Sequence, residues 1–256
     1  MANTVFDNKV IEARAKELLT TSLNFRSLMT IDNSLAETEG MVKTINVYTY
    51  TGKVEKLADG AKNTVRGAIS YTGKDYRVQR AQQVFDYLDS DFLKDSNVVD
   101  YSLKGANELM TNEMTADFIT EAQKASLTHE AATFGYEAIV DAIAKLQVED
   151  ESKLFVLAPI EWKAELRKDE DYKTARMGEV VYTGQTGTIA GIPVIFSKAV
   201  EEAYVMSPEA IKLFLKKDVE VEQDRDIETK TNTVALTSYY ICALVDETKI
   251  CKITVA

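Results

Sequence analysis

The chain has 256 residues, of which 45% are hydrophobic and 28% charged, and its 30 basic against 41 acidic residues give a formal net charge of −11. Affinity for DNA depends mainly on neutralising phosphates with Lys and Arg, so this balance argues against a DNA-binding module. Residues Met1 to Lys16 carry charges throughout, unlike a secretory signal. No run reaches the roughly 20 mostly apolar residues that a membrane span needs. The composition predicts a globular protein.

The first predicted element is an imperfect amphipathic helix between Val5 and Met29, where apolar residues recur among Glu, Arg and Lys. A polar stretch from Asp32 to Gly40 follows it. By itself this pattern is typical of an ordinary packing helix.

A long polar hairpin is predicted next. From Lys43 the pattern has period two, a glycine-marked polar segment runs from Gly52 to Gly73, and Tyr76 to Val84 returns as a second extended run. The excursion offers little apolar material for a core of its own. Isolated two-stranded hairpins are marginal in water, and long structureless loops are uncommon in compact domains. Something outside the subunit must therefore hold it.

The charge of this hairpin differs from that of the rest of the chain. Residues Gly52 to Arg80 hold seven basic and three acidic side chains, a local charge of +4, which leaves −15 elsewhere. The basic residues are Lys53, Lys56, Lys62, Arg66, Lys74, Arg77 and Arg80. A basic arm on an acidic body is complementary between copies of the chain, which sets their orientation and encounter rate. A basic solvated loop is the alternative.

Two helices are expected after the hairpin. Apolar residues at helical spacing without proline predict a long amphipathic helix over Asp100 to Ser126, and a second helix over Phe134 to Leu146. His129, the one histidine, is expected in a loop or cap between them. Without a neighbouring Cys or His cluster it predicts neither a metal site nor a nucleophile motif, and no cofactor is expected.

The glycine-punctuated stretch from Tyr182 to Ser197 predicts a turn, a short strand, a tight turn and a buried strand. It follows a short buried strand expected over Lys153 to Leu157. It is not a phosphate-binding loop, because Pro193 and a strand follow its last glycine where a helix N-terminus would be needed.

Near the C-terminus, the Ser207-Pro208-Glu209 sequence predicts the N-cap of a short helix from Glu209 to Leu215. Alternating residues then predict a long hairpin with a charged tip, Asp226 to Asn232. A closing hairpin is expected across the turn at Asp246 to Lys249. In that arrangement Cys242 and Cys251 lie diagonally and stay reduced.

This order of elements, with the Gly-Ile-Pro-Val-Ile-Phe-Ser strand (Gly191 to Ser197) after a polar hairpin and two helices, resembles the major capsid proteins of tailed bacteriophages, the Hong Kong 97-type fold. The resemblance covers nearly the whole chain and extends to the Val98-Val99-Asp100 entry of the long helix. It implies an α+β fold with a spine helix. The implied units are an N-terminal arm (1–41), an extended loop (42–84), a peripheral domain (85–128 and 208–238) and an axial domain (129–207 and 239–256).

The resemblance implies a major capsid protein that self-assembles into hexamers and pentamers of an icosahedral phage shell enclosing double-stranded DNA. It implies no membrane partner and places the protein in the virion, after assembly in the host cytoplasm. The expected partners are further copies, separate scaffolding and portal proteins and, in some shells, decoration proteins. The arm and the extended loop would reach neighbouring subunits, although an ordinary packing helix remains open for the arm. The charged tip residues Arg225, Asp226, Glu228 and Lys230 are expected where capsomers join.

Two alternatives remain open at this point. An encapsulin-type nanocompartment shell protein would share the fold, but motifs of that branch are not evident. A soluble α+β enzyme is a different class, against which stand the lone histidine and the absence of a phosphate loop in the right context.

Overall fold

The computed structural model describes residues 25–37, 39–95, 97–168 and 188–255. The helix expected from Val5 therefore lies outside the described residues for most of its length, and its last part, Phe25–Leu28, forms a single 3-10 turn. The turn expected before residue 188 also lies outside them.

The strands are β1 (Thr30–Asp32), β2 (Val42–Thr51), β3 (Ala68–Arg77), β4 (Gln79–Leu88), β5 (Leu127–Ala131), β6 (Phe155–Pro159), β7 (Thr188–Ile189), β8 (Ile192–Ser197), β9 (Ala203–Met206), β10 (Ile211–Asp226), β11 (Thr231–Leu244) and β12 (Ile250–Val255). The helices are α1 (Asp89–Lys94), α2 (Val98–Ala122), α3 (Tyr136–Leu146) and α4 (Lys163–Lys168), and further 3-10 turns lie at Glu151–Lys153, Ile160–Trp162 and Glu247–Lys249.

The first sheet has the strand order β1-β10-β11-β4. Its long hairpin, β10 and β11, is the one expected from the alternating sequence. Even-numbered residues of β11 such as Val234 and Leu236 face α2 and pack with Leu103 and Ala106 of that helix. Odd-numbered residues such as Ile241 face the opposite side. This alternation gives the sheet one side covered by α2 and one side that α2 leaves open.

Helix α2 confirms the predicted long helix. Its buried side carries large apolar residues, but also a polar row in which each side chain bonds the carbonyl four residues earlier. Asn107 Nδ2 donates to Leu103 O at 3.0 Å, Thr111 Oγ1 to Asn107 O at 2.9 Å, and Thr115 Oγ1 to Thr111 O at 2.8 Å. The row satisfies hydroxyl and amide donors that would be costly to bury alone.

The second sheet has the order β5-β12-β9-β6-β8-β7 and is covered by α3, the second predicted helix. The predicted buried strand is β6, with five buried residues. The tight turn of the glycine-punctuated stretch joins β7 to β8 through Ala190 and Gly191, whose φ angles are 49° and 82°, so Gly191 supplies a conformation that other residues avoid. Strand β8 is partly rather than fully buried.

One apolar cluster joins the two sheets. It contains Leu213 and Tyr240 of the first sheet, Phe155 and Tyr204 of the second, and Phe118 of α2. The sheets therefore share one apolar cluster, in addition to the clusters that belong to each sheet alone.

The helix predicted from Glu209 to Leu215 is wrong. Ser207 does start a turn, since its Oγ accepts the Glu209 N–H at 3.4 Å, but β10 begins at Ile211 and pairs with both β1 and β11. The alternation of Ile211, Leu213 and Leu215 toward α2 outweighs the local capping signal, because strand pairing buries all three side chains.

The closing hairpin is also wrong, because β12 lies between β5 and β9 in the second sheet and does not return along β11. A 3-10 turn redirects the chain, and Asp246 caps it by accepting the Thr248 N–H at 3.0 Å. Cys242 and Cys251 are free thiols, as expected, and both are buried. His129 lies within β5 and not in a loop.

Candidate assembly surface

Strands β2 and β3 form a two-stranded sheet of their own. Their antiparallel register runs without interruption from Val42 opposite Arg77 to Thr51 opposite Ala68. Ten residues at about 3.4 Å each make an arm of about 34 Å before its tip. A hairpin is present as predicted, and we call it the arm hairpin (residues 42–77). The position predicted for its second strand, Tyr76 to Val84, is wrong: β3 returns already from Ala68, and most of the predicted run lies in β4, which pairs with β11 in the first sheet instead.

The root of the arm hairpin is fixed to the first sheet. The Val78 N–H donates to Met41 O at 2.8 Å, and Val78 is buried against Phe214 and Ile241 on the side of the sheet away from α2. Tyr76 Oη donates to Leu244 O at 3.3 Å. Burial and the nearby Glu121 charge raise the pKa of Tyr76.

An ion pair adds to this anchor. Lys74 Nζ contacts the Glu247 carboxylate, and its hydrogen bond lowers the pKa of Glu247. Lys74 is one of the residues predicted to contact a neighbouring subunit, and within its own chain it pairs with Glu247.

Beyond the root, the arm hairpin exposes an aromatic face. Alternation places Tyr48, Tyr50, Ile69 and Tyr71 on one side, as two cross-strand pairs. They are 62%, 72%, 66% and 70% exposed. The rings of Tyr48 and Tyr71 lie 6.0 Å apart. Contiguous apolar surface of this kind is typical of an interaction site, and composition alone did not single it out.

Two glycines fix the position of one of these rings. The Tyr50 ring lies over Gly52 and Gly67, and a Cβ atom on Gly67 would overlap it. Glycine therefore lets the ring pack flat across the neck of the hairpin.

The tip of the arm hairpin (residues 52–67) carries four of the predicted basic residues, Lys53, Lys56, Lys62 and Arg66, all exposed. Its hydrogen bonds include an internal one, from the Thr64 N–H to Glu55 Oε2 at 3.1 Å. The remaining predicted residues of this set, Arg77 and Arg80, are exposed near the root. The seven basic residues thus divide into a tip group and a root group.

The turn between β10 and β11 holds the second set of residues predicted to contact other subunits: Arg225, Asp226, Glu228 and Lys230. Two of these four side chains have partners within the chain. Arg225 Nη2 donates to Asp89 Oδ2 at 2.6 Å. Asp226 caps the turn by accepting the Glu228 N–H at 2.8 Å, and hydrogen bonds, first from the Thr229 hydroxyl, lower its pKa. Glu228 and Lys230 are exposed.

The same end of the sheet also exposes apolar side chains that sequence reasoning missed. Ile227 in the turn is 72% exposed, and Leu93 in α1 is 85% exposed. Sequence analysis overlooked these two apolar residues because charged residues flank them. A search for single apolar residues within charged segments could have found them.

Acidic residues of α2 brace the sheet near the root. Tyr240 Oη donates to Asp117 Oδ2 at 2.8 Å, and Glu121 Oε2 accepts the Leu244 N–H at 3.2 Å. Burial raises the pKa of Asp117. These carboxylates serve packing, since both accept hydrogen bonds from β11.

Features expected of a catalytic or membrane site are not found in the described part of the chain. Over those residues, no group of three or more His, Cys, Asp or Glu side chains is placed to hold a metal ion. His129 Nε2 lies 3.8 Å from Asp141 Oδ2, a loose contact. None of the described helices has the length and apolar character required to cross a bilayer.

Two sheets that share an apolar cluster, a long helix behind one of them and an arm hairpin projecting from its other side define the class: the chain has the Hong Kong 97-type capsid fold. A curated relative, the major capsid protein of Staphylococcus phage phiMR11, is 24% identical over 259 residues, 96% of this chain and 92% of that protein. The similarity to phage major capsid proteins expected from the sequence is thereby confirmed.

Solved structures of phage proteins show the same fold. A capsid chain of Cyanophage P-SCSP1u superimposes with a TM-score of 0.72 at 11% identity, covering 90% of this chain and 86% of that chain. A chain from Mycobacterium phage Che8 gives a TM-score of 0.66 at 16% identity, with 90% of each covered. No family model matches the sequence.

Proposed function

We propose that this chain is the major capsid protein of a tailed bacteriophage, which assembles from many copies into an icosahedral shell of hexamers and pentamers around double-stranded DNA. The observation that carries the proposal is the arm hairpin, whose root is anchored and whose distal part is exposed on an aromatic face. Isolated hairpins of two strands are marginal in water, so a second copy of the chain is the natural support.

The net charge of −11 suits a container. A wall that repels phosphate leaves packed DNA free to enter and leave, whereas a basic wall would bind it. DNA is therefore enclosed without sequence-specific binding.

The encapsulin-type alternative has less support, because the curated relative is a phage protein. An enzyme is disfavoured, because the relative and the fold are those of structural shell proteins. We assign the chain no catalytic residue, cofactor or metal.

The proposed location is the virion, with assembly in the host cytoplasm beside separate scaffolding, portal and decoration proteins. Residues 1–41 would act as an N-terminal arm that reaches neighbouring subunits. Residues 42–84, which include the arm hairpin, would act as the extended loop. Residues 85–128 and 208–238 would form the peripheral domain, and 129–207 and 239–256 the axial domain. Strand β11 continues from the peripheral into the axial unit, which ties the two together.

The inter-subunit residues follow from exposure. The tip residues Lys53, Lys56, Lys62 and Arg66 are the leading candidates, with Arg77 and Arg80 near the root and Glu228 and Lys230 at the β10–β11 turn. Lys74, Arg225 and Asp226 have intrachain partners, so their contribution is to position the surface.

Light scattering and negative-stain microscopy of the purified chain, alone and with a co-expressed scaffolding protein, test the proposal. We expect closed particles or isolated rings of five and six subunits. A stable monomer at every concentration, with and without the scaffold, would contradict it.

A further inference from the structure

Strand β4 is the outermost strand of the first sheet, and among the described residues it pairs with β11 alone. Its ten residues, Gln79–Leu88, pair with β11 without a shift of register. Natural proteins usually protect a sheet edge of this length with proline, lysine or a bulge. Since β4 contains neither proline nor lysine, its second edge is available to another strand.

Two hydrogen bonds identify the backbone groups on this open edge. The Asp89 N–H, directly after β4, donates to Lys230 O at 3.1 Å. Gln83 Nε2 donates to Val84 O at 3.3 Å, which places this carbonyl on the side away from β11. Residues of an antiparallel strand alternate between its two edges. Odd-numbered residues therefore bond β11, and the even-numbered residues from Arg80 to Asp86 direct their N–H and C=O groups outward.

A groove of about 420 Å³ runs beside the open edge. It is lined by Gln79 to Gln83 of β4 and, on α2, by Leu109, Met110 and Glu113. Leu109 is 55% exposed. One turn earlier on α2, a Cβ atom added to Gly105 would meet no described atom within 4 Å. A strand added to the edge therefore has room to cover the apolar side of this groove.

The open edge is complementary to itself when two copies run antiparallel. With a twofold axis at Gln83, Arg80 of each copy lies opposite Asp86 of the other, and Gln82 lies opposite Val84. Arg80 and Asp86 are exposed and point to the same side of the sheet, so the register forms two pairs of opposite charge. These positions are the ones whose backbone groups face outward, and the four pairs would exchange about eight hydrogen bonds.

We propose that β4 pairs with β4 of a second copy across a twofold axis at Gln83, which joins two four-stranded sheets into one continuous sheet. This inference rests on the proposed function and adds a contact between neighbouring rings of subunits. Rings of five or six copies form through heterologous contacts, whereas a twofold contact between rings needs a surface that is complementary to itself. The open edge of β4 meets that requirement.

A single cysteine at the axis tests the register. In Gln83→Cys the two Cβ atoms face each other at a non-hydrogen-bonded pair, about 4.5 Å apart, which a disulfide can span. We expect mild oxidation of assembled particles to give disulfide-linked pairs of chains on a non-reducing denaturing gel. Wild-type particles provide the baseline, because Cys242 and Cys251 are buried.

The matched control is Gln79→Cys, on the same strand and the same side. Its two copies would lie eight residues apart along the strand, about 27 Å, so we expect no linked chains. Gln83→Cys particles without linked chains, or an equal yield from the control, overturn the inference and leave the proposed function standing. Failure of the wild type to form any oligomer overturns both.

Charge reversal tests the contact without a cysteine. Arg80→Asp alone and Asp86→Arg alone each place like charges opposite one another. Each should raise the concentration for half-assembly at least about fivefold, equivalent to about 1 kcal/mol. An equal mixture of the two variants should recover assembly, because each mixed contact again pairs opposite charges. Normal assembly of either single variant, or no recovery in the mixture, refutes the pairing.

Glu149→Arg, at an exposed position after α3, changes the net charge as Asp86→Arg does and should assemble like the wild type. An equal loss in this control would assign the effect to net charge and overturn the inference. The urea midpoint of each variant at low concentration confirms that the monomer is folded.

Discussion

Replacing Tyr71 with serine removes part of the aromatic face of the arm hairpin without touching the core. A tyrosine side chain presents roughly 200 Å², so at 70% exposure it has about 140 Å² left for a partner to cover. Serine loses about 100 Å² of that contact, worth about 2.5 kcal/mol at about 25 cal/mol per Å² as an upper value. Incomplete burial and ordering costs reduce it, and we expect about 1–2.5 kcal/mol, a roughly 5- to 60-fold weaker association.

The assay for Tyr71→Ser measures the concentration at which half the protein sediments as particles, together with the urea midpoint of the monomer. The midpoint should not change, because Tyr71 contacts the exposed hairpin alone. Val47→Ser, on the opposite face and 46% exposed, is the control and should weaken assembly less. Unchanged assembly of Tyr71→Ser, or an equal effect of both variants, would refute the reasoning.

Three further predictions concern the hairpin neck and the brace on α2. Gly67→Ala should push the Tyr50 ring aside and weaken assembly, with the monomer melting temperature unchanged; normal assembly would mean that the ring position is unimportant. Tyr240→Phe should lower the free energy of unfolding by about 1.5–3 kcal/mol at neutral pH, since Asp117 then loses its donor, and denaturant titration that shows no loss would argue against the brace. Burial raises the pKa of Asp117 above its ordinary 3.8, so the contribution of Asp117 to wild-type stability declines as pH rises through that region. The stability of Asp117→Asn relative to that of the wild type should therefore increase as pH is raised from below 3.8 to neutral. A difference in melting temperature between the two proteins that does not change with pH would contradict this.

Elements with a strong local pattern could be predicted from the sequence. The spacing of apolar residues along α2 and the alternation in β10 and β11 each bury one face, so the periodicity indicates the element. The arm hairpin was predicted because its residues could not form a core, and its exposure in the structure agrees with that argument.

Elements whose formation depends on strands distant in the sequence could not be predicted from the sequence. The capping signal at Ser207 is genuine, yet the chain forms strand β10 and not a helix, because β1 and β11 pair with the backbone of β10 on both sides. The path of β12 depends on β5, which precedes it by more than 100 residues in sequence. A turn at Asp246 therefore could not reveal to which sheet the last strand belongs.

The candidate surface was predicted in part. Composition located the basic tip, because charge is visible in the sequence. It could not separate Lys74 and Arg225, which are held by Glu247 and Asp89, from lysines that point outward. The aromatic face depends on strand register, which fixes the residues that share a face.

The polar row on α2 determines how stiff this helix is. The carbonyls of Leu103, Asn107 and Thr111 each accept a side-chain bond in addition to the backbone bond of the helix. Bonds of this kind loosen the backbone ladder and favour bending. These three bonds lie in the first two-thirds of the longest described helix, away from its ends. A change in the curvature of this helix would therefore cost less than a change in the strand pairing of the sheet that it covers.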